Sequence, residues 1–282
     1  MGMQVNTNVS ALNSYRNLSN TQNDLAKSLE KLSSGLRINH AADDAAGLAI
    51  SQGLQSQVGG LTVASRNAQD GISVIQTAEG SLSEVQTILQ RVRDLAVQAG
   101  NDSNNATSRD AIKTEVTALG AELTRIGTNA NFNGTKLLDG TGGAAADGKL
   151  TFQIGAGSTT SDQISVQMTD ITALASGITT LAATGFASAS AAAASIATVD
   201  GNITTISTAR ADLGAQQNRF ESVIRNLSVS TENLTAAKSR ITDTDMAAEM
   251  VKYTRSNILS QAGTAMLAQA NQGNQGVLQL LR

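Results

Sequence analysis

The sequence predicts a mainly α fold: long coiled-coil helices form a rod with a small β-hairpin insert, and the N- and C-terminal helices pair. Proline is absent from all 282 residues, so no residue forces a helix to break. Aromatic residues make up only 2% of the chain, which leaves few of the large side chains that fill a broad globular core. Apolar residues recur at steps of three and four over several long segments, as in coiled coils.

The first predicted helix covers the N-terminal segment and ends near Gly35, a residue type suited to a helix C-terminus. Its apolar residues form two interleaved rows with a seven-residue repeat: Ala11, Leu18, Leu25 and Leu32 in one, and Tyr15, Leu29 and Leu36 in the other. A helix of this kind needs a packed partner, because propensity alone does not stabilise it.

Two further helices are predicted before the chain changes period. The second carries apolar residues at steps of three and four from Ile75 to Ala99 and stops at Gly100. The third carries the same pattern from Ile112 to Ile126. Helices joined by a short polar loop are usually antiparallel neighbours, so we expect these two to pack side by side.

Alternation of apolar and polar residues then predicts a β-hairpin near residues 149–168, with the turn-forming stretch GAGSTTSD between its strands. Residues 173–189 are rich in Ala, Ser, Thr and Gly and are predicted to form a short variable surface connection, with no large outer domain. The predicted domains are a terminal coiled coil, residues 1–42 with 243–282, and a helical rod, residues 43–172 with 190–242.

The longest helical pattern follows this connection. It places seven apolar residues on a strict seven-residue step, which predicts the coiled-coil seam of the rod: Val199, Ile206, Leu213, Phe220, Leu227, Leu234 and Ile241. The last helix is the expected partner of the first, seam to seam, and carries Leu259, Ala262, Met266, Ala270, Val277 and Leu280.

Pairing of the two terminal helices leaves apolar residues uncovered, among them Val9 and Leu12 on the first helix and Met250, Tyr253, Leu267 and Leu281 on the last. Surplus apolar faces of this kind predict association with other chains. A head-to-tail contact that does not close into a ring generates a filament.

Most catalytic chemistry is excluded by composition. The chain has no Cys and one His, His40, so thiolate chemistry, zinc–sulfur sites and any mechanism with two imidazoles are ruled out. Asp43 and Asp44 beside His40 are predicted to start a helix rather than to bind a metal. The loop from Gly143 to Lys149 resembles a phosphate-binding loop, but it leads into a strand and lacks the following Ser or Thr. We therefore expect no enzyme activity, no cofactor and no metal.

The charge and hydropathy of the chain predict neither nucleic-acid binding nor membrane insertion. The net charge of -3 provides no basic excess for phosphates. No apolar run approaches the length that crosses a bilayer, and the N-terminal stretch has no secretory signal.

Several long segments resemble bacterial flagellin, in the order that the family has them: LAKSLEKLSSGLRINHAADDAAGLAIS, QRVRDLAVQAGN, NANFNGTKLLDG and ITDTDMAAEMVKYTRSNILSQAGTAMLAQANQ. The resemblance covers roughly residues 3–140 and 195–282. It implies a secreted structural subunit that polymerises into the extracellular flagellar filament for swimming motility. The terminal helices would line the filament core and fold only on assembly. The alternatives are a hook–filament junction protein and a secreted coiled-coil binding module.

The resemblance also implies partners. These are further copies of the chain, the flagellin export chaperone, and the filament cap and hook-junction proteins. Gln90, Arg91, Leu95 and Glu115 match positions contacted by the vertebrate Toll-like receptor for flagellin. The end of the chain, with Val277, Leu278, Leu280 and Leu281, resembles the assembly segment sensed by the cytosolic inflammasome receptor.

The residues themselves suggest why Arg91 binds a partner. Ile88 and Leu95 lie off the predicted seam, on the side of the helix that carries Arg91. Arginine beside exposed apolar residues is typical of a protein contact, so these residues are predicted to form an outward patch.

Overall fold

The computed structural model describes the backbone of residues 7–280 and the side chains of residues 7–272. The predicted mainly α fold is confirmed. The elements are α1 (Val9–Ser34), α2 (Ala45–Ala99), α3 (Ala106–Asn129), β1 (Asn131–Phe132), β2 (Thr135–Lys136), β3 (Lys149–Gln153), β4 (Gln163–Gln167), α4 (Ile171–Thr184), α5 (Ala189–Thr242) and α6 (Met246–Leu280).

The chain divides into two compact units. The terminal unit contains the residues up to Ser56 and from Asn233 onward, and the central unit contains Gln57–Glu232. Both divisions fall inside the long helices α2 and α5, which have 55 and 54 residues. The predicted domain limits at residues 42 and 243 lie at the ends of these helices instead.

Local sequence signals set the helix ends. Gly35 caps the end of α1 in the left-handed region, with φ 72°, as its residue type predicts. The Asn105 side chain accepts a hydrogen bond from the Ser108 amide at the start of α3, and the Asp170 side chain does the same for the Thr172 and Ala173 amides of α4. Asp44 accepts from the amide of Gly47 in the first turn of α2, so the predicted helix-start role is confirmed for Asp44, whereas Asp43 accepts from the amides of Asn39 and His40 in the preceding turn.

The core of the central unit follows the predicted rows. Leu82, Leu89 and Val92 of α2 and Val116 and Leu123 of α3 have no exposed surface. They belong to one apolar cluster that also includes the seam of α5 from Val199 to Phe220. A narrow core of this kind needs few aromatic residues, which agrees with the composition.

The predicted hairpin is confirmed as the antiparallel pair β3–β4, in which Phe152 faces Ile164 across the strands. A second pair, β1–β2, escaped prediction because each strand has only two residues. Its turn is Asn133–Gly134, both with positive φ (49° and 83°), a combination that Asn-Gly provides at low cost.

The prediction for residues 173–189 was wrong, because most of this segment is helix α4. Ile171, Ala175, Ile178 and Ala182 are buried along one face of α4, which packs on α3. Close packing is possible because α3 has buried glycines at 120 and 127, where an added Cβ would lie 3.0 Å from Thr179 Oγ1 and 3.1 Å from Thr172 Cγ2. Small residues at a seven-residue spacing carry little apolar signal, so the pattern was missed.

Candidate assembly surfaces

Helices α1 and α6 of the terminal unit form an antiparallel pair. Ser28 donates a hydrogen bond to Glu249 toward one end, and Asn8 donates to the carbonyl of Ala270 (2.9 Å) toward the other. The buried or half-buried residues that recur at steps of three and four form the terminal seam: Ala11, Ser14, Leu18, Thr21, Leu25, Ser28 and Leu32 on α1, and Glu249, Tyr253, Ser256, Ser260, Gly263, Leu267 and Ala270 on α6.

This terminal seam is built mostly from small and hydroxylated residues. The helices approach closely at Gly263, where an added Cβ would lie 3.1 Å from Leu18 Cδ1 and 3.6 Å from Leu18 Cβ. Small side chains bring the helix backbones together but bury little apolar area. The pair therefore gains limited stability from its own seam.

Other large apolar residues of the two helices are exposed, and they form what we call the outward stripes: Val9, Leu12, Tyr15 and Leu29 on α1, and Met246, Met250, Val251, Ile258, Leu259 and Met266 on α6. Leu259 and Met266 lie at the edge of the pair, where they line a shallow groove with Leu18 and Thr21 of α1. Part of the α6 stripe lines an open groove between Met250 and Leu259. Val9, Leu12 and Met250 were predicted to be uncovered; Tyr253 and Leu267 are half-buried instead.

The predicted seam partners were partly wrong. Tyr15, Leu29 and Leu36 of the interleaved row are exposed, and so are Leu259 and Met266 of α6. The row with Leu18, Leu25 and Leu32 does lie in the terminal seam. The prediction from apolar spacing selected residues of the outward stripes because these stripes hold most of the large apolar side chains. On α1 the seam alternates Leu with Ser and Thr, which gives a weaker apolar pattern. The pair is thus apolar on its outside, which favours burial against other molecules.

One charged residue lies within the terminal seam. Ser28 and Glu249 are 6% and 5% exposed, and the Ser28 hydroxyl donates to Glu249 Oε1 at 2.6 Å. Lys252 Nζ donates to the other carboxylate oxygen at 3.1 Å. Burial raises the pKa of Glu249, but the hydrogen bonds from Ser28 and Lys252 and the positive charges of Lys252 and Lys31 outweigh it, so the pKa lies below its ordinary value. This carboxyl is therefore held as the anion.

The predicted rod seam residues of α5 fall in two groups. Val199, Ile206, Leu213, Phe220 and Leu227 are buried in the central unit. Leu234 and Ile241, in the terminal unit, are half-buried. At the hairpin end of the cluster, Phe220 packs edge-on against Phe152 of β3, with ring centroids 5.5 Å apart.

Ion pairs join α2 and α5 beside this core. Arg210 donates to Glu79 at 2.9 Å and to Gln86 at 2.5 Å, and Arg93 donates to Asp200 at 2.5 Å. The Arg93, Asp200 and Glu79 side chains are more than two-fifths exposed, so each pair contributes little to stability. They help to set the register of the two helices.

The structure brings three of the four predicted receptor residues together on the surface. Gln90 and Arg91 are exposed on α2, where Arg91 Nε donates to Glu115 Oε1 of α3 at 2.8 Å and a terminal guanidinium nitrogen of Arg91 lies 2.7 Å from the same oxygen. Leu95 does not belong to an outward patch, because it is 2% exposed. Ile88 is half-buried. The interpretation of this side as apolar and outward was wrong.

The reason is the width of the buried face of α2. Two rows at steps of three and four overlap there: the predicted row through Leu89, Val92 and Ala96, and a second row through Ile88, Val92 and Leu95. A helix with two such rows packs into a broader core than the single seam of a two-stranded coil. Leu95 therefore supports the surface that carries Arg91 from below.

The predicted C-terminal end lies outside the described side chains. Helix α6 reaches Leu280, and Val277, Leu278 and Leu280 are within its backbone, whereas Leu281 lies outside the described residues.

No metal-binding constellation forms among the described residues. His40 Nε2 lies 2.8 Å from Glu30 Oε1 at an exposed position, and Asp43 accepts from the amides of Asn39 and His40. Residues 7–280 contain no group of three or more acidic or His residues placed to hold a metal, and no helix there could cross a membrane. The loop from Gly143 to Lys149 is a glycine turn leading into β3, as predicted.

The chain is similar to bacterial flagellins over almost its whole length. Residues 5–142 match the bacterial flagellin N-terminal helical region, and residues 196–281 match the bacterial flagellin C-terminal helical region. Flagellin of Bacillus subtilis is 51% identical, over 99% of this chain and 100% of that protein. The flagellar filament 33 kDa core protein of Treponema phagedenis is 46% identical over the same shares. A putative flagellar hook-associated protein from Vibrio parahaemolyticus shares the fold, with a TM-score of 0.57 at 14% identity, over 71% of this chain and 100% of that one.

Proposed function

Since the chain belongs to the bacterial flagellin family and is a structural subunit of the flagellar filament, we propose that it polymerises through the outward stripes of α1 and α6. The observation that carries this proposal is the composition of the terminal pair: its seam holds mostly small and hydroxylated residues, while most of its large apolar residues are exposed. Burial of these stripes against neighbouring copies removes apolar area from water at every subunit. The filament serves swimming motility.

The test is polymer growth from the purified full-length chain. Added to short filament seeds, or salted out, the chain is expected to extend filaments without a length limit, as seen by electron microscopy. Addition of a single layer that then stops would indicate a junction protein. No addition to any seed would indicate a secreted coiled-coil module and would contradict assembly.

The same stripes suit the other assembly partners. We propose that the export chaperone covers the apolar side of α6 before secretion, since the Met250 to Leu259 groove is open in the single chain. The filament cap and the hook-junction proteins then meet copies at the two ends of the polymer. The C-terminal residues Val277, Leu278, Leu280 and Leu281 are proposed to assemble with neighbours and to be sensed by the cytosolic inflammasome receptor.

The subunit is proposed to leave the cell and to act in the extracellular flagellum, without enzyme activity. The absence of cysteine and the single histidine remove the commonest catalytic sets. No step of assembly requires a cofactor, because burial of apolar area supplies the driving force.

The receptor surface is proposed to consist of Gln90, Arg91 and Glu115, with Leu95 beneath it. Glu115 holds the Arg91 guanidinium through two nitrogens, so the planar donor group is oriented before a partner binds. Arginine in this state is a frequent hot spot of protein interfaces.

Arg91→Ala is expected to weaken activation of the Toll-like flagellin receptor by about thirtyfold, or on the order of 2 kcal/mol, while the monomer remains folded. Folding is expected to persist because Arg91 is 55% exposed and its ion pair contributes little. The measurement is a dose–response curve of receptor-bearing reporter cells.

Arg93→Ala is the matched control. It removes an exposed arginine two residues away whose partner is Asp200 of α5 rather than Glu115. Its dose–response curve should stay close to that of the native chain. Equal activity of both variants would assign the receptor contact to another surface.

A further inference from the structure

The Ser28–Glu249 contact is the only pairing of a carboxylate with a hydroxyl across the described part of the terminal seam. Both groups are almost fully buried, at 2.6 Å from each other. A buried charge contributes little net stability even when paired, because its desolvation offsets the attraction. Buried polar or charged groups are better known for setting the register of paired helices than for adding stability.

The rest of the seam specifies alignment weakly. On α1 the sequence of the seam nearly repeats every seven residues, with Leu18, Leu25 and Leu32 in one row and hydroxyl residues in the other. A slip of seven residues, about 10 Å along the helix, places leucine where leucine was and hydroxyl where hydroxyl was. Packing alone therefore distinguishes these registers poorly.

Glu249 distinguishes them. A slip of three or four residues places its carboxylate against Leu25 or Leu32, which offer no hydrogen bond. A slip of seven places it against Gly35, which has no side chain, or against Thr21, whose hydroxyl already donates to the carbonyl of Asn17 (2.9 Å). Toward Thr21 it also moves away from Lys31, one of its positive neighbours.

We infer that Ser28 and Glu249 are the register-determining pair of the terminal helices, a specificity device that selects one antiparallel alignment of α1 and α6 for assembly. The pair keeps the outward stripes of the two helices at a constant offset, so every copy presents the same surface to its neighbours. Lys252 completes the site, since it neutralises the carboxylate from the solvent side, with its side chain 65% exposed. The inference rests on the proposed assembly through these helices.

Disulfide trapping reads the register directly, because the chain has no cysteine of its own. Leu18→Cys with Gly263→Cys reports the native register: a Cβ on Gly263 lies 3.6 Å from Leu18 Cβ, within the range that disulfides require. Gly263→Cys with Ala11→Cys or with Leu25→Cys reports a slip of seven residues in either direction. The yield of each intrachain disulfide is measured by mass spectrometry on polymer salted out from the full-length chain.

In the otherwise native chain the disulfide of the Leu18→Cys, Gly263→Cys reporter is expected to dominate. Combining each reporter with Ser28→Ala and Glu249→Leu replaces the polar pair by apolar groups, and the ratio of native to slipped disulfide is expected to fall by about tenfold or more. Glu249→Gln, which still accepts from Ser28, should restore most of the native ratio. Asp24→Leu, at an exposed acid of α1, should leave it unchanged.

An unchanged ratio in the apolar double variant would overturn the inference, as would an equal fall of all three yields, which indicates a merely stabilising contact. If the double variant forms no polymer, the same ratio is read in its soluble chain, with the same criteria. Failure of the native chain to polymerise would contradict the proposed assembly instead, and the disulfide ratio would still report the register.

Discussion

Replacement of Phe220 by aspartate is expected to unfold the central unit. Phe220 has no exposed surface, packs edge-on against Phe152 and lies against Gly71 of α2, where an added Cβ would be 3.0 Å from its ring. Loss of a buried phenylalanine alone costs about 3–5 kcal/mol, and an unpaired buried carboxylate adds several kcal/mol. The sum approaches the whole stability of an ordinary domain, about 5–15 kcal/mol.

The measurement is the helical circular dichroism signal of the full-length chain during heating, together with its resistance to limited proteolysis. Val229→Asp is the control, because Val229 is 57% exposed on the same helix and should tolerate the charge. A cooperative transition of Phe220→Asp near the native midpoint would show that Phe220 is not part of the stabilising core.

The central unit could be predicted to a large extent because its core residues are large and regularly spaced. Leu82, Leu89 and Val92 are apolar, buried and fall on one row with steps of three and four, so burial and sequence pattern coincide. The same is true of the α5 seam from Val199 to Leu227. A heptad pattern predicts burial reliably when a helix has a single apolar face and that face packs against other parts of the same chain.

In the terminal unit the same reasoning selected a row that includes Ala270 of the seam but also Leu259 and Met266, which lie at the edge of the α1–α6 contact and are 51% and 62% exposed. Leu259 and Met266 are exposed in the single chain, and their apolar character suits a surface that another copy covers in the proposed polymer. Ser256, Ser260 and Gly263 lie in the seam with α1 instead. An apolar stripe records burial in the final assembly and does not say whether the covering surface belongs to the same chain. The sequence signal for this seam is Glu249 together with the seven-residue spacing of Ser256 and Gly263. The signal is weak because these two residues have small side chains or none.

Leu95 shows the converse error. Its offset from the Leu89 row was interpreted as exposure, but α2 buries a face two rows wide. The width of the buried face of a helix depends on how many neighbouring elements pack around it. The spacing of apolar residues along that one helix does not reveal the number of its neighbours. Helix α4 was missed for a related reason, since its packing on α3 relies on Gly120 and Gly127 rather than on bulky residues.

The second large effect concerns the outward stripe of α6: Ile258→Lys is expected to weaken filament growth strongly while the chain remains folded. Ile258 is 60% exposed on the outward stripe, so the substitution removes no internal contact of consequence. In the proposed polymer this side chain is covered by a neighbouring copy, and an unpaired ammonium there costs on the order of 3 kcal/mol per contact. Because each 1.4 kcal/mol is about tenfold in affinity, the critical concentration for growth should rise by about a hundredfold or more.

The measurement is the concentration of free subunit in equilibrium with growing seeds, determined by sedimentation. Thr264→Lys is the matched control: it adds the same charge to the same helix at an exposed position six residues further on, about a third of a turn or more around the axis from Ile258, Leu259 and Met266. Its critical concentration should stay within a few-fold of the native value. If Ile258→Lys polymerised as readily as Thr264→Lys, the stripe of α6 would have no part in the filament contact. If both failed equally, added positive charge rather than loss of the apolar contact would be the cause.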